Sequence, residues 1–189
     1  VGDRTAADFA QHIGERIRRL RQERDVSLST LARDAGVGKA TLSGLEDGSR
    51  GNPTIETLYA IAGRLGVPIG ALLPDPQQRA GKTLETIHGT AVSASLLETF
   101  SAPDVDTELF RLHIRPGHEQ LSPAHPPGTV EYLTVFTGTA RVGLPDQLLT
   151  VPPGGHVSWV ADTPHIYSAV GEADVFASLL IRTPRVPRS

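Results

Sequence analysis

The hydrophobic period of the chain switches near residue 74. Before it, apolar residues recur at helical spacing; after residue 83 they alternate as in strands, and most of the prolines lie there. A segment patterned for one period does not settle into the other. The segment between them, Pro74-Asp75-Pro76-Gln77-Gln78-Arg79-Ala80-Gly81-Lys82, has two prolines in three residues and then polar ones, the composition of a linker. The reading is therefore a two-domain α plus β chain: a helical domain over 1–73, a linker over 74–82 and a strand-rich domain over 83–189.

Charge divides along the same line. Residues 1–75 carry ten Lys+Arg and ten Asp+Glu, and residues 76–189 carry eight and eleven, so the net charge of −3 belongs to the strand half. No global positive field marks a nucleic-acid partner, and any DNA contact must come from a local surface. The absence of cysteine excludes disulfides, thiolate catalysis and cysteine metal sites. No apolar run approaches the roughly 18–20 residues of a membrane span. No basic-then-apolar leader opens the sequence. These observations point to the cytoplasm and to no membrane partner.

The helical half predicts five short helices. Ile13, Ile17 and Leu20 share one face of the first. Ser27 is placed to cap a second bearing Leu28, Leu31 and Ala32. A third spans Gly38–Glu46, and Thr54 opens a fourth with Ile55, Leu58, Ile61 and Leu65. A last turn or two carries Ile69, Leu72 and Leu73. Ala32, Gly36 and Leu42 have the spacing of two helices crossing through a tight turn. The small residue allows close approach, the glycine accepts positive φ, and the leucine anchors the second helix.

The stretch "SLSTLARDAGVGKATLSGLEDGSRGNPTIETLYAIAGRLGVPIGALL", Ser27 to Leu73, resembles the repressor/Cro-like (XRE) helix-turn-helix family without gaps. The resemblance implies double-stranded DNA as partner, with the helix over 38–46 in the major groove. Lys39, Ala40, Thr41 and Gly44 would face the bases, and Ser43, Arg50 and Asn52 the phosphates. Gly38 departs from the Ser or Thr that commonly caps this helix. The arginines at 16, 18, 19, 21 and 24 read either as a solvated face or as phosphate contacts. For Arg21 the resemblance implies an internal ion pair with Glu46.

In the strand half, "RPGHEQLSPAHPPGTVEYLTVFTG" (Arg115 to Gly138) and "PPGGHVSWVADTPHIYSAV" (Pro152 to Val170) resemble the two motifs of the cupin fold, a double-stranded β-helix or jelly-roll barrel. His125, Glu131 and Gly138 match the first motif, with Pro127 where its second histidine would stand. Gly154, Ala161, Asp162, Pro164 and His165 match the second. The resemblance leaves His125, Glu131 and His165 as a two-imidazole, one-carboxylate set for a divalent metal (Zn, Fe or Ni). The same three side chains also read as a hydrogen-bonded core without metal. Strand parity turns Glu131, Leu133 and Val135 inward together, and likewise His165, Tyr167 and Ala169. Arg111, His113, Leu133, Trp159 and Tyr167 are the candidate lining of an effector pocket.

The two resemblances together imply a transcriptional regulator rather than an enzyme. Its cupin domain would bind a small-molecule effector and pair two chains, so that two heads address a pseudo-palindromic operator. The alternative is a metal-dependent dioxygenase or isomerase with an accessory DNA-binding head.

Overall fold

A computed structural model describes residues 2–49, 51, 53–74 and 84–185, with backbone alone for 2–6. Arg50, Asn52 and the linker from 75 to 82 lie outside the described residues. Helices precede the boundary and strands follow it, as the switch of period requires.

The head contains α1 (Gly2–Gln22), α2 (Leu28–Asp34), α3 (Lys39–Glu46) and α4 (Ile55–Leu65). The fifth expected helix is instead a four-residue 3-10 turn, Ile69–Leu72. Gly66 ends α4 in the left-handed conformation and Pro68 resets the chain, so too few residues remain for an α-helix. Ser27 and Thr54 cap as expected, accepting the N–H of Thr30 and Thr57. Gly38 begins α3 with no side-chain cap.

Gly36 takes φ +65° in the turn between α2 and α3, as the spacing required, while Ala32 and Leu42 are buried. The tightest approach lies elsewhere. A Cβ on Gly14 of α1 would land on the carbonyl oxygen of Leu45 in α3. Gly14 therefore lets α1 and α3 meet backbone to backbone. Beside this crossing, the Arg21 guanidinium donates to both Glu46 carboxylate oxygens at 2.7 Å and to the Val26 carbonyl at 2.9 Å. This is the internal pair implied by the resemblance.

The strand half forms two antiparallel sheets around one core. The larger is ordered β1-β2-β3-β10-β5-β8 and the smaller β4-β9-β6-β7. The larger comprises β1 (Ile87–His88), β2 (Val92–Ser101), β3 (Val105–Ile114), β5 (Val130–Thr137), β8 (His156–Val160) and β10 (Val175–Pro184). The smaller comprises β4 (Glu119–Ser122), β6 (Ala140–Leu144), β7 (Gln147–Val151) and β9 (His165–Ala169). Phe110, Leu112, Leu133, Val135, Leu179 and Val142 fill the space between them.

Register creates one unusual row. Glu108 on β3 pairs with Ile181 on β10, Ile181 pairs with Glu131 on β5, and Glu131 pairs with Trp159 on β8. Paired residues share a face, and all four are buried. Two carboxylates thus stand in one interior row, about 10 Å apart at two strand spacings.

The head packs directly on this domain. The hydrophobic core runs unbroken from Phe9 and Leu73 of the head to Ile87 and Leu96 of the larger sheet. Glu108 accepts the backbone N–H groups of Gly70 and Ile69 at the 3-10 turn. Glu56 of α4 accepts the Thr90 N–H at 2.7 Å. Arg115 holds the same β1–β2 connection through the carbonyls of Gly89 and Thr90.

Burial raises the Glu108 carboxyl to about 8; the Gly70 and Ile69 N–H groups pull against this and Asp106 adds to it. A carboxyl with a raised native pKa holds its proton more tightly folded than unfolded, so stability falls as pH climbs from the ordinary carboxylate range through about 8. Urea unfolding between pH 5 and 8.5 should show a loss of roughly 1–3 kcal/mol that Glu108→Gln removes. An equal slope in both proteins would refute the assignment. Gly14→Ala should destabilise the head by about 2 kcal/mol or more, since the clash is with backbone. Its thermal unfolding, compared with wild type, gives that number directly.

Candidate metal centre and DNA-reading face

Three elements deliver the centre. Glu131 is the second residue of β5, His165 opens β9, and His125 lies in the loop before β5. That loop is pinned on both sides. The His125 N–H donates to the Ala161 carbonyl, the Ala161 N–H to Thr129, and the Gly128 N–H to the Asp162 carboxylate at 3.1 Å. The Thr129 hydroxyl closes the loop on the Pro126 carbonyl at 2.7 Å. The two motif segments therefore interlock before either histidine side chain is placed.

The imidazoles converge on one carboxylate oxygen. His125 Nε2 is 2.7 Å and His165 Nε2 3.5 Å from Glu131 Oε1, while the Tyr167 hydroxyl donates to Oε2. One ligand atom from each of His125, Glu131 and His165 lies within 4.8 Å of the others. His165 Nδ1 is 3.0 Å from the Thr163 carbonyl, which can only accept, so Nδ1 carries a proton. That leaves Nε2 facing the centre, fully buried and without a hydrogen bond. A ring fixed through Nδ1–H with its other nitrogen free is how proteins present histidine to a metal.

The electrostatics have the same focus. Burial pushes the Glu131 carboxyl up, but the His165 charge and the hydrogen bond from His125 outweigh it and hold it well below the usual range. Burial lowers His165, and the Glu131 charge more than reverses this. Both shifts favour a positive charge beside Glu131, which a divalent cation would supply. The donors suit such an ion: two imidazoles and a carboxylate, all desolvated. Pro127, where the cupin motif has its second histidine, is exposed and offers no fourth ligand.

Of the expected pocket residues, Leu133, Trp159 and Tyr167 face the interior. The Trp159 ring lies 6.2 Å from His165 and 5.9 Å from Tyr167, and its buried Nε1 has no hydrogen-bond partner. Arg111 and His113 do not line the interior. They alternate with buried Phe110 and Leu112, so parity puts them on the outer face. There Arg111 reaches Ser95, while His113 pairs with Asp174 at 3.1 Å and stacks on Phe176.

One aromatic at the centre was not expected. Tyr59 of α4 is buried, and its ring stands edge-on to His125 with centroids 4.6 Å apart. Burial raises its phenol well above the usual value, and Glu131 and Glu108 add to the rise. Its only signal in the sequence is the spacing of four from Ile55, which fits ordinary core equally well. A cleft of about 1050 Å³ also opens between head and sheets, lined among others by Arg16, Arg24, Phe100, Pro126, Pro127 and Arg185.

On α3, Lys39, Ala40 and Ser43 are exposed, and Thr41 is half-buried. Gly44 is buried with Leu42 and Leu45, which corrects its expected place on the groove side. Arg21 is turned inward by Glu46, while Arg18, Arg19 and Arg24 remain exposed.

The helix-turn-helix family HTH_3 matches residues 17–72. The chain is 31% identical over 178 residues to the HTH-type transcriptional regulator SutR of Escherichia coli, covering 94% of this chain and 98% of SutR. It is 39% identical over 66 residues to the regulator SinR of Bacillus subtilis, covering 35% of this chain and 60% of SinR. Among solved structures, an HTH_3 family transcriptional regulator from Vibrio cholerae is similar at 30% identity with a TM-score of 0.80, covering 95% of this chain and 99% of that one. A cupin domain of an XRE family regulator from Enterobacter cloacae matches at 24% identity and a TM-score of 0.46, covering 50% of this chain and 99% of that one. With identity above 30% across nearly the whole of both chains, this chain belongs to the XRE-type helix-turn-helix transcriptional regulators, the family of SutR.

Proposed function

We propose that the chain is a metal-dependent, effector-responsive transcriptional regulator, with residues 1–73 as DNA reader and 83–189 as a cupin-type sensor. The observation that carries the metal reading is His165. Its Nδ1 is committed to Thr163, and its buried Nε2 meets Glu131 and His125. These three residues would hold one divalent ion, zinc, iron or nickel, which supplies Lewis acidity and open positions for an oxygen ligand.

The effector class follows from what surrounds the ion. Trp159 Nε1 is a second buried group without a partner, and it donates only. A small organic acid would satisfy both, one oxygen on the metal and another accepting from Trp159. Leu133 and Tyr167 complete the wall. The reader would address bases through Lys39, Ala40 and Thr41 and phosphates through Ser43, Arg50 and Asn52. Exposure of Lys39, Ala40 and Ser43 on one helix supports this.

Two chains would pair to address a pseudo-palindromic operator in the cytoplasm. Phe136 and Phe176, 59% and 46% exposed on neighbouring strands, support a second copy as cover for that face. We read the chain as a regulator and not an enzyme because its near-full-length relative is named as a regulator.

Elemental analysis of the metal-loaded protein should find about one equivalent in wild type and little in His165→Ala. Equal content in both would remove the centre. In mobility-shift assays near physiological salt, the protein should prefer its own upstream DNA over random duplex by on the order of a thousandfold. Lys39→Ala should lose on the order of tenfold of that preference. Equal affinity for both duplexes would end the regulator reading.

A further inference from the structure

The reader domain contributes directly to the metal centre. Tyr59 belongs to the head by sequence, yet its ring packs on His125. Its neighbours on α4 face the same way. Ile55 abuts Gly89, Glu56 holds the Thr90 N–H, and Gly63 faces the carbonyl of Ala124, the residue before His125. Positions 55, 56, 59 and 63 fall on one side of a helix. The other side of α4, with Leu58, Ile61, Ala62 and Leu65, is buried in the head's core against α2 and α1, the helices that pack on α3. One helix therefore touches the centre with one face and the packing that seats α3 with the other.

We propose that Tyr59 is the reader's contact to the centre, and that a divalent cation held by His125, Glu131 and His165 is felt by α4 through this ring. The proposal rests on the metal reading above. One change on metal binding would reach Tyr59. His125 Nε2 would release the proton it donates to Glu131 to solvent and bind the ion instead, fixing the ring against which Tyr59 packs. By linkage, whatever the ion does to the head's placement, DNA on the head does in return to the ion's affinity.

The test uses the full chain and Zn(II) as probe. Competition with a chromophoric chelator measures Zn(II) affinity. Hydrogen exchange measures opening of the α4 amides with and without Zn(II), the β6–β7 hairpin serving as internal reference. In wild type, Zn(II) should slow exchange over 55–65 by about fivefold or more relative to that hairpin. Tyr59→Leu, which keeps an apolar residue there, should still take up one Zn(II) but lose the slowing. Tyr59→Phe, which keeps the ring, should retain most of it.

Zn(II) binding to wild type with α4 exchange unchanged overturns the proposal while leaving the metal site standing. Slowing that persists in Tyr59→Leu overturns it as well. A flat Zn(II) titration of wild type removes the metal reading and this inference together, and is distinguishable because no ion is taken up. If Tyr59→Leu fails to fold, the wild-type pair of measurements and Tyr59→Phe still decide.

Discussion

Two carboxylates buried in one row of a β-sheet organise this molecule. Glu108 and Glu131 flank Ile181 across β3, β10 and β5, facing the same interior. A carboxylate removed from water must be neutralised or richly hydrogen-bonded. The two solve this differently. Glu131 gathers two imidazoles and a phenol, and stays anionic. Glu108 accepts backbone N–H groups of the 3-10 turn, and burial holds its proton to about 8. The first solution gathers two imidazoles and a carboxylate within 4.8 Å of one another. The second ties the helical head to the sheet through the ends of a short turn.

Tyr59 of α4 packs edge-on against His125, the imidazole that donates to Glu131. The same helix supplies Leu58, Ile61 and Leu65 to the head's core. Beyond it, α3 is seated by two contacts of different kinds. Gly14 permits a backbone approach that any side chain would block, and Arg21 grips Glu46 from α1. A fork-to-fork pair of this kind fixes orientation more than it adds stability, since desolvating both charges offsets much of their attraction.

Much of this was legible in the residues. The switch of period located the helix-to-strand boundary, because side-chain spacing follows backbone geometry directly. Gly36 and the caps Ser27 and Thr54 act locally, within a few residues, and the structure finds them where expected. His125, Glu131 and His165 were found through the resemblance to the two cupin motifs, and strand parity turns Glu131 and His165 inward. The expected fifth helix failed for a local reason, the Gly66–Pro68 break, which left only a 3-10 turn. Arg111 and His113 were counted as possible pocket residues although their alternation with Phe110 and Leu112 already placed them on the other face.

The sequence by itself determined the local and periodic things: which segments are helix or strand, where they stop, and which residues of a strand face inward together. Glu108 was within its reach, being in phase with Phe110 and Leu112, but its partners were not, since they lie 38 residues away in the other domain. Only the tertiary structure decided that Gly14 meets Leu45, that Gly44 is buried, that Trp159 lies beside His165, and that a head residue, Tyr59, covers the centre. Each of these depends on where one element crosses another. Crossings are set by the packing of whole surfaces, and no window of neighbouring residues encodes them.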